Sequence, residues 1–339
     1  MINIFYKNIE KTIKQFNKLS YFTKFFIFVL ILLLLFLVLN KKNNYDYYNI
    51  ENLDNIDSFD DTTSFNFSEK YTQKVDEEIF DKFYVSKYDK IHLNKSKNNF
   101  EINEIKKIIK KNKDMKILDV GCGTGYYVNK FSTFNYDIVG IDKSKQMITK
   151  AKYNYPNGEF LVGDILNNNI FDINSFNVIL CLNRNIYKIK NKNLFFENCY
   201  SLLNSNGILI INLVNRDNFK PYVFEEDSSI LYNPEKSYKK KITQTIVKFD
   251  EDNEFISKYL LNNEENNKKN IINNNAYSAY IEKFENFKTN RVREHIINLY
   301  MPELEEVLNI AESKGFEIYK KIDMIDVNYI NEYLYILKK

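Results

Sequence analysis

The run Asp119-Val-Gly121-Cys122-Gly123-Thr-Gly125 places three of the chain's 8 glycines within five residues. A glycine-rich turn lets the backbone bend sharply and approach a ligand closely. A helix opening just behind it adds unpaired N–H groups aimed at the same place. Carboxylates recur downstream: Asp142 lies seventeen positions after Gly125, and Asp164 directly follows Gly163. A carboxylate at a strand tip beside such a turn can accept both hydroxyls of a ribose, and the next can accept a purine amino group. Met147 and Ile165 offer apolar surfaces for the ring between them, and Lys143 stands next to Asp142. Leu182 and Asn183 close a fourth apolar segment, beside the place where the reactive end of an adenosyl ligand falls. The loop spacing is GxGxG. A nicotinamide-type GxGxxG loop needs glycine at position 126, which is Tyr126, so a dehydrogenase is disfavoured.

Other chemistries are excluded by what the chain lacks. With 3 Cys, no CxxC pair and 2 His, neither a disulfide scaffold, a cysteine-rich zinc site nor a histidine-rich metal centre is available, so no metal is expected. Cys122 reads as a small loop filler, and Cys181 and Cys199 as core residues. His92 and His295 are each a candidate general base, set against the commoner structural role of a lone histidine. The formal charge of +3 on 339 residues gives no bulk attraction to nucleic acid.

Positioning these residues requires an α/β sheet. Short apolar strands are expected at 116–120, 136–141, 159–163, 176–182 and 207–214, with helix-length stretches at 124–133, 144–153 and 190–204 between them. That alternation implies a mostly parallel sheet with helices on both faces. A helix over 301–314, with Pro302 in its first turn and Gly315 past its end, precedes two more strands at 316–322 and 329–337. Seven strands result. Residues 215–300 interrupt the pattern with period-two alternation at 242–249, 254–261, 277–287 and 293–300, read as an inserted antiparallel cap. The Asn-rich stretch 261–275 reads as a mobile loop. Between about 71 and 113, Val75, Ile79, Phe83, Ile102, Ile105, Ile108 and Ile109 fall at helical spacing, predicting two or three helices.

The amino-terminal part is of another kind. Phe25 to Leu39 reads FFIFVLILLLLFLVL, and with Tyr21 to Lys24 it reaches about 28 Å as a helix, close to the roughly 30 Å hydrocarbon core. The reading is a basic segment 1–20, a single transmembrane helix 21–39 and an acidic, disordered tether 40–72, followed by a catalytic domain 73–339. Lysines before the span place the amino terminus in the cytosol by the positive-inside rule; the unpaired cysteines favour a cytosolic catalytic domain instead, and the latter is preferred.

The segments ILDVGCGTGYY, VGIDKSKQM, FLVGDIL, FNVILCL and LLNSNGILIINLV, taken in that order, resemble class I S-adenosylmethionine-dependent methyltransferases over about 85–215 and again over 300–339. With NRDNF after the fifth strand and LYMPELEEVL near the end, the chain also resembles methyltransferase-like proteins of large DNA viruses. The resemblance implies a Rossmann-like fold with S-adenosyl-L-methionine as cofactor. Asp119 and Gly121 to Gly125 would hold the methionine part, Asp142 the ribose, and Asp164 with Ile165 the adenine. Tyr88 would close over the cofactor. The family's Pro-Pro-aromatic motif for nucleic-acid amino groups is absent, since Pro156, Pro221, Pro234 and Pro302 are isolated, and no cysteine follows a proline as cytosine C5 methylation requires. The expected acceptor is therefore a small or medium molecule enclosed by the cap, such as a lipid headgroup, a sugar or another metabolite. The alternative is an anchored cofactor-binding or scaffold protein without turnover.

Overall fold

The computed structural model describes residues 20, 22–25, 29–30, 65, 67–109, 115–167, 170–223, 242–262, 272–273 and 275–339. The chain divides into two units, Met1–Asp57 and Ser58–Lys339. In the first, residues 22–25 and 29–30 are helical. The Ser20 hydroxyl accepts from the Thr23 amide, and Phe22 and Leu30 are exposed. Among the described residues, no helix is long and apolar enough to cross a membrane. Most of the expected span 21–39, the basic segment before Ser20 and tether positions 40–64 lie outside the described residues.

In the second unit the strands are β1 (Tyr71–Val75), β2 (Lys116–Val120), β3 (Asp137–Asp142), β4 (Glu159–Val162), β5 (Phe176–Cys181) and β6 (Leu203–Val214). They continue as β7 (Gln244–Lys248), β8 (Asn253–Leu261), β9 (Ser278–Asn286), β10 (Arg291–Leu299), β11 (Glu317–Asp323) and β12 (Glu332–Lys338). The helices are α1 (Lys82–His92), α2 (Lys95–Ile108), α3 (Tyr126–Thr133), α4 (Lys145–Asn154), α5 (Lys192–Leu202) and α6 (Leu304–Ser313). Side chains of Asp81, Asn94, Ser144 and Asn191 cap α1, α2, α4 and α5 by accepting from the amide three residues on.

A seven-stranded sheet runs in the order β11-β12-β6-β5-β2-β3-β4. All neighbours from β6 to β4 are parallel, and β12 is antiparallel to both of its partners. Period-two alternation feeds two cores. Leu118, Ile179 and Cys181 pack into one, with Phe195 and Phe196 of α5 and Val307 and Leu308 of α6. Ile117, Val178 and Leu180 pack into the other, with Ile102 and Ile105 of α2 and Val128 and Phe131 of α3.

A second sheet, β1-β10-β9-β8-β7, corrects two expectations. Residues 71–75 were expected to open a helix, yet they form β1, paired parallel with β10 in the register Tyr71 to Val292 through Val75 to Ile296. Their alternating exposure fits a strand as well as Val75, Ile79 and Phe83 fit a helix; a free sheet edge decided the matter. The extra sheet is therefore mixed and not wholly an insertion. The acidic tether also ends earlier than expected, because Phe65 is fully buried and Phe67 nearly so, packed against Phe83, Phe249 and Phe284. The last helix starts at Leu304, with Pro302 ahead of it, and Gly315 at φ +97° follows its end.

Candidate active site

The glycine loop leaves β2 and enters α3 directly. Gly125 takes φ +90° as the residue before the helix, and a Cβ there would meet Phe160 at 2.7 Å. Gly121 takes φ +71°, and a Cβ would meet Asn185 Nδ2 at 2.6 Å, the same nitrogen that donates to the Gly121 carbonyl at 2.9 Å. Both positions thus need glycine for conformation and for space. Asp119, on the penultimate position of β2, is 2% exposed, and its Oδ2 has no hydrogen-bond partner among the described residues. Burial pushes its pKa up to about 7, with the Asp142 and Glu101 carboxylates adding to the effect.

Asp142 ends β3 and accepts from the Gly123 amide at 3.0 Å and the Ser144 amide at 2.9 Å, which ties the glycine loop to the next strand. Burial raises its pKa, opposed by those two N–H groups. Asp164 follows β4 and pairs with Lys143 at 3.1 Å while accepting from the Leu166 amide. Met147, Ile165 and Leu182 are buried. Asn183 lies just past β5 at φ +55°, and its Oδ1 accepts from Lys97 Nζ at 2.9 Å.

At the carboxyl ends of these strands a cavity of about 490 Å³ opens toward the mixed sheet. Gly121, Cys122, Gly123 and Asn183 line it from below, Tyr88 and His92 of α1 from the side, and Tyr280 and Glu282 of β9 from above. Asp119, Gly125, Asp142, Lys143, Met147, Asp164, Ile165 and Leu182 surround the loop without lining this cavity. A larger hollow of about 700 Å³ sits at the amino ends of the parallel strands, beside Lys116, Asp137, Glu159 and Asp172, away from the glycine loop. Among the described residues no cluster of His, Cys, Asp and Glu could hold a metal ion. Burial pushes the thiols of Cys122, Cys181 and Cys199 up, so none is a ready thiolate.

His295, a candidate base, is fully buried behind the cavity wall, where its Nε2 accepts from Arg293 Nε at 2.7 Å. It does not line the cavity, so direct contact with an acceptor is ruled out for it, because its ring is packed between Tyr84 and Phe284. Tyr88 does line the cavity, with Cε1 3.8 Å from a Cβ built on Gly123.

Three groups of site residues escaped the sequence reading. Arg184, at φ +58°, donates from Nε to buried Glu332 at 2.8 Å and from its terminal nitrogens to the Lys220 and Pro221 carbonyls, pinning the segment after β6. Lys97 pairs with fully buried Glu101 at 2.6 Å, and Glu101 also accepts from Asn212 at 2.9 Å and from the Tyr127 hydroxyl. Glu282 sits in phase with Tyr280 and Phe284 along β9, and a carboxylate on an aromatic strand face was the signal available for it.

Fold and loop together define a Rossmann-like α/β domain whose ligand face is the carboxyl end of the parallel strands. Comparison with known proteins sharpens this. A family model described as a methyltransferase domain matches residues 111–260. The chain is 46% identical over 56 residues to the methyltransferase-like 235L protein of Invertebrate iridescent virus 6, covering 16% of this chain and 21% of that one. It is 30% identical over 114 residues to the ubiquinone biosynthesis O-methyltransferase of Pelagibacter ubique, covering 33% of this chain and 47% of that one. The chain thus spans half or less of the length of these curated relatives. The fold is similar, at 13% identity and TM-score 0.52, to an S-adenosylmethionine-dependent methyltransferase from Clostridium acetobutylicum, covering 75% of this chain and 95% of that one.

The chain carries a class I S-adenosylmethionine-dependent methyltransferase domain, and the cofactor of that domain is S-adenosylmethionine. The residues present fit it. Asp119 keeps an unpartnered buried carboxylate oxygen for a cation, and Gly121, Gly123 and Gly125 put no side chain on the loop at their positions.

Proposed function

We propose that the protein transfers a methyl group to a small molecule held in the cavity between the glycine loop and the mixed sheet. The observation that carries this reading is the enclosure itself. One cavity of about 490 Å³ touches the loop on one side and β9 on the other, enough for a metabolite-sized acceptor next to the cofactor. A small-molecule acceptor is also supported by the ubiquinone biosynthesis O-methyltransferase among the relatives.

In this reading Asp119 and the loop at Gly121, Gly123 and Gly125 bind the methionine part, Asp142 with Lys143 the ribose, and Asp164, Ile165 and Met147 the adenine. Leu182 and Asn183 stand at the reactive end, and Tyr88 covers it. S-adenosylmethionine supplies a methyl carbon already activated by a sulfonium. The protein's share is to align the acceptor and keep water out. The mixed sheet does the latter: Phe249, Phe255 and Tyr280 face the cavity from above.

The apolar run 25–39 is the reason to add a membrane. We assign it as a single-pass anchor with the catalytic unit on the cytosolic side, which would concentrate the enzyme near a membrane-borne acceptor, including a lipid headgroup. Calorimetry of the full chain with S-adenosylmethionine, followed by release of S-adenosylhomocysteine across an acceptor panel, tests the chemistry; no binding heat ends the reading. Flotation of the full chain with vesicles, and protease protection of a tag at Lys339, test the anchor and its orientation.

A further inference from the structure

We propose that His92 is the base that takes the acceptor's proton, oriented by Tyr84 and Glu282, and that the acceptor is a hydroxyl on a flat apolar ring. This rests on the methyl-transfer reading above.

His92 ends α1, and its side chain is 32% exposed toward the cavity that it lines. Its Nε2 lies 2.8 Å from the Tyr84 hydroxyl, and that hydroxyl lies 2.8 Å from Glu282 Oε2. Glu282 is 2% exposed. Burial pushes its carboxyl up, but His295, His92 and the Tyr84 hydroxyl outweigh this and hold it below the usual carboxylate range. A carboxylate only accepts, so the one phenolic proton of Tyr84 goes to Glu282. The Tyr84 oxygen must then accept from His92, which places the imidazole proton on Nε2. The Nδ1 lone pair is left over, with no hydrogen bond among the described residues, on a ring that lines the cavity.

Other groups around the imidazole agree with this state. Burial lowers the His92 pKa, Glu282 of β9 and Asp89 of α1 raise it, and Lys188 after β5 and His295 of β10 lower it further. The net direction is down, so the ring is neutral near pH 7 and able to accept. The Tyr88 ring lies 4.7 Å from it, centroid to centroid. His295 stays in reserve behind Glu282. Its Nε2 accepts from Arg293, so its own proton is on Nδ1, 3.7 Å from Glu282 Oε2. The ring-shaped acceptor follows from the walls, which the aromatic residues Phe80, Tyr88, Tyr222, Phe249, Phe255 and Tyr280 line.

At transfer the acceptor's O–H bond breaks toward His92 Nδ1. The oxygen pair so released forms the O–CH₃ bond, and the pair of the broken C–S bond stays on sulfur, leaving a neutral thioether. The imidazolium is stabilised by Glu282 through Tyr84, then returns its proton to water.

The chain has 2 histidines, which makes the test direct. Long-range proton–nitrogen NMR on the full chain, without cofactor, reads the tautomer of each ring, and either single-histidine variant, His92→Asn or His295→Gln, assigns them. The expected result is a neutral His92 protonated on Nε2 and a neutral His295 protonated on Nδ1 at pH 7. A His92 protonated on Nδ1, or charged at pH 7, overturns the proposal. A second measurement uses 4-nitrocatechol as the probe, with S-adenosylhomocysteine present. The wild type should bind it as the phenolate at least one pH unit below its ionisation in free solution, and His92→Asn should bind it neutral. No binding, or a neutral phenol in the wild type, also overturns the proposal. Calorimetry separates the two levels: His92→Asn should bind S-adenosylmethionine within about twofold of wild type, whereas absence of binding in the wild type itself would sink the methyltransferase reading and leave the tautomer result standing.

Discussion

Two buried carboxylates near the glycine loop are treated in opposite ways: Glu282 lines the cavity, and Asp119 sits behind the loop. Glu282 in the mixed sheet has a phenol at 2.8 Å and two imidazoles within 3.7 Å. Asp119, near the carboxyl end of the interior strand β2, has one oxygen with no partner among the described residues, and burial drives its pKa to about 7. A carboxylate supplied with donors is a fixed part of the wall. One left without them lowers the stability of the empty protein and gains from a cation arriving. The loop side is thus incomplete at Asp119, while the Glu282 carboxylate in the upper wall is fully supplied with donors.

The largest test of this contrast is Glu101, a third buried carboxylate and a fully partnered one. Glu101→Ala removes the ion-pair partner of buried Lys97, leaving it only the Asn183 amide oxygen, and takes an acceptor from Tyr127 and Asn212; it should cost about 3–5 kcal/mol in denaturant unfolding. A loss under about 1 kcal/mol would mean that partnering does not distinguish the two kinds.

Asp119→Asn should act in the reverse sense on stability. The folded pKa of Asp119 lies above its unfolded value, so the unfolded chain releases that proton more readily. The empty protein is then penalised progressively as pH rises from the ordinary carboxylate range to about 7, and fully above it. The variant should melt higher than wild type at pH 8 and equally at pH 4, while binding S-adenosylmethionine roughly ten- to hundredfold more weakly at pH 8. For wild type, affinity should fall as pH drops below about 7, because the carboxylate must first lose its proton. A flat affinity from pH 6 to 8 would remove Asp119 from the cation's site.

Gly125→Ala probes the frame of the lower half. The φ of +90° and the 2.7 Å approach to Phe160 predict a loss of about 1–3 kcal/mol with weaker cofactor binding. The smallest effect belongs to Lys143→Ala. Its pairs with Asp164 and Glu77 are half-exposed, so thermal stability should move by less than about 1 kcal/mol, leaving any change in cofactor affinity readable by itself.

The lower half was legible in sequence, and so were the four strands β7 to β10 of the upper half; β1 and the contacts that cross the chain were not, for physical reasons. Strands buried on both faces read as short apolar runs such as Lys116–Val120 and Phe176–Cys181, and the glycine spacing needs no tertiary context. The residues of the upper half depend on pairings that cross the chain. Thr72 and Gln73 gave no sign of their partners in β10. Phe65 sits among acidic and Asn-rich neighbours, so composition pointed to a tether while four aromatic rings pointed to a core. Of the two histidines, the periodicity of β10 could not tell that His295 would be sealed and His92 left open.

The parallel pairing of β1 with β10 also fixes an order of events during synthesis. Gln73 and Glu294 are 221 positions apart, so that much further chain must leave the ribosome before β1 meets its neighbour. Through that interval the segment from Phe65 to Val75 carries buried-type aromatics and an unsatisfied strand edge in the nascent polypeptide. Expression plasmids that begin at residue 76 would remove a strand whose partner is delivered only late.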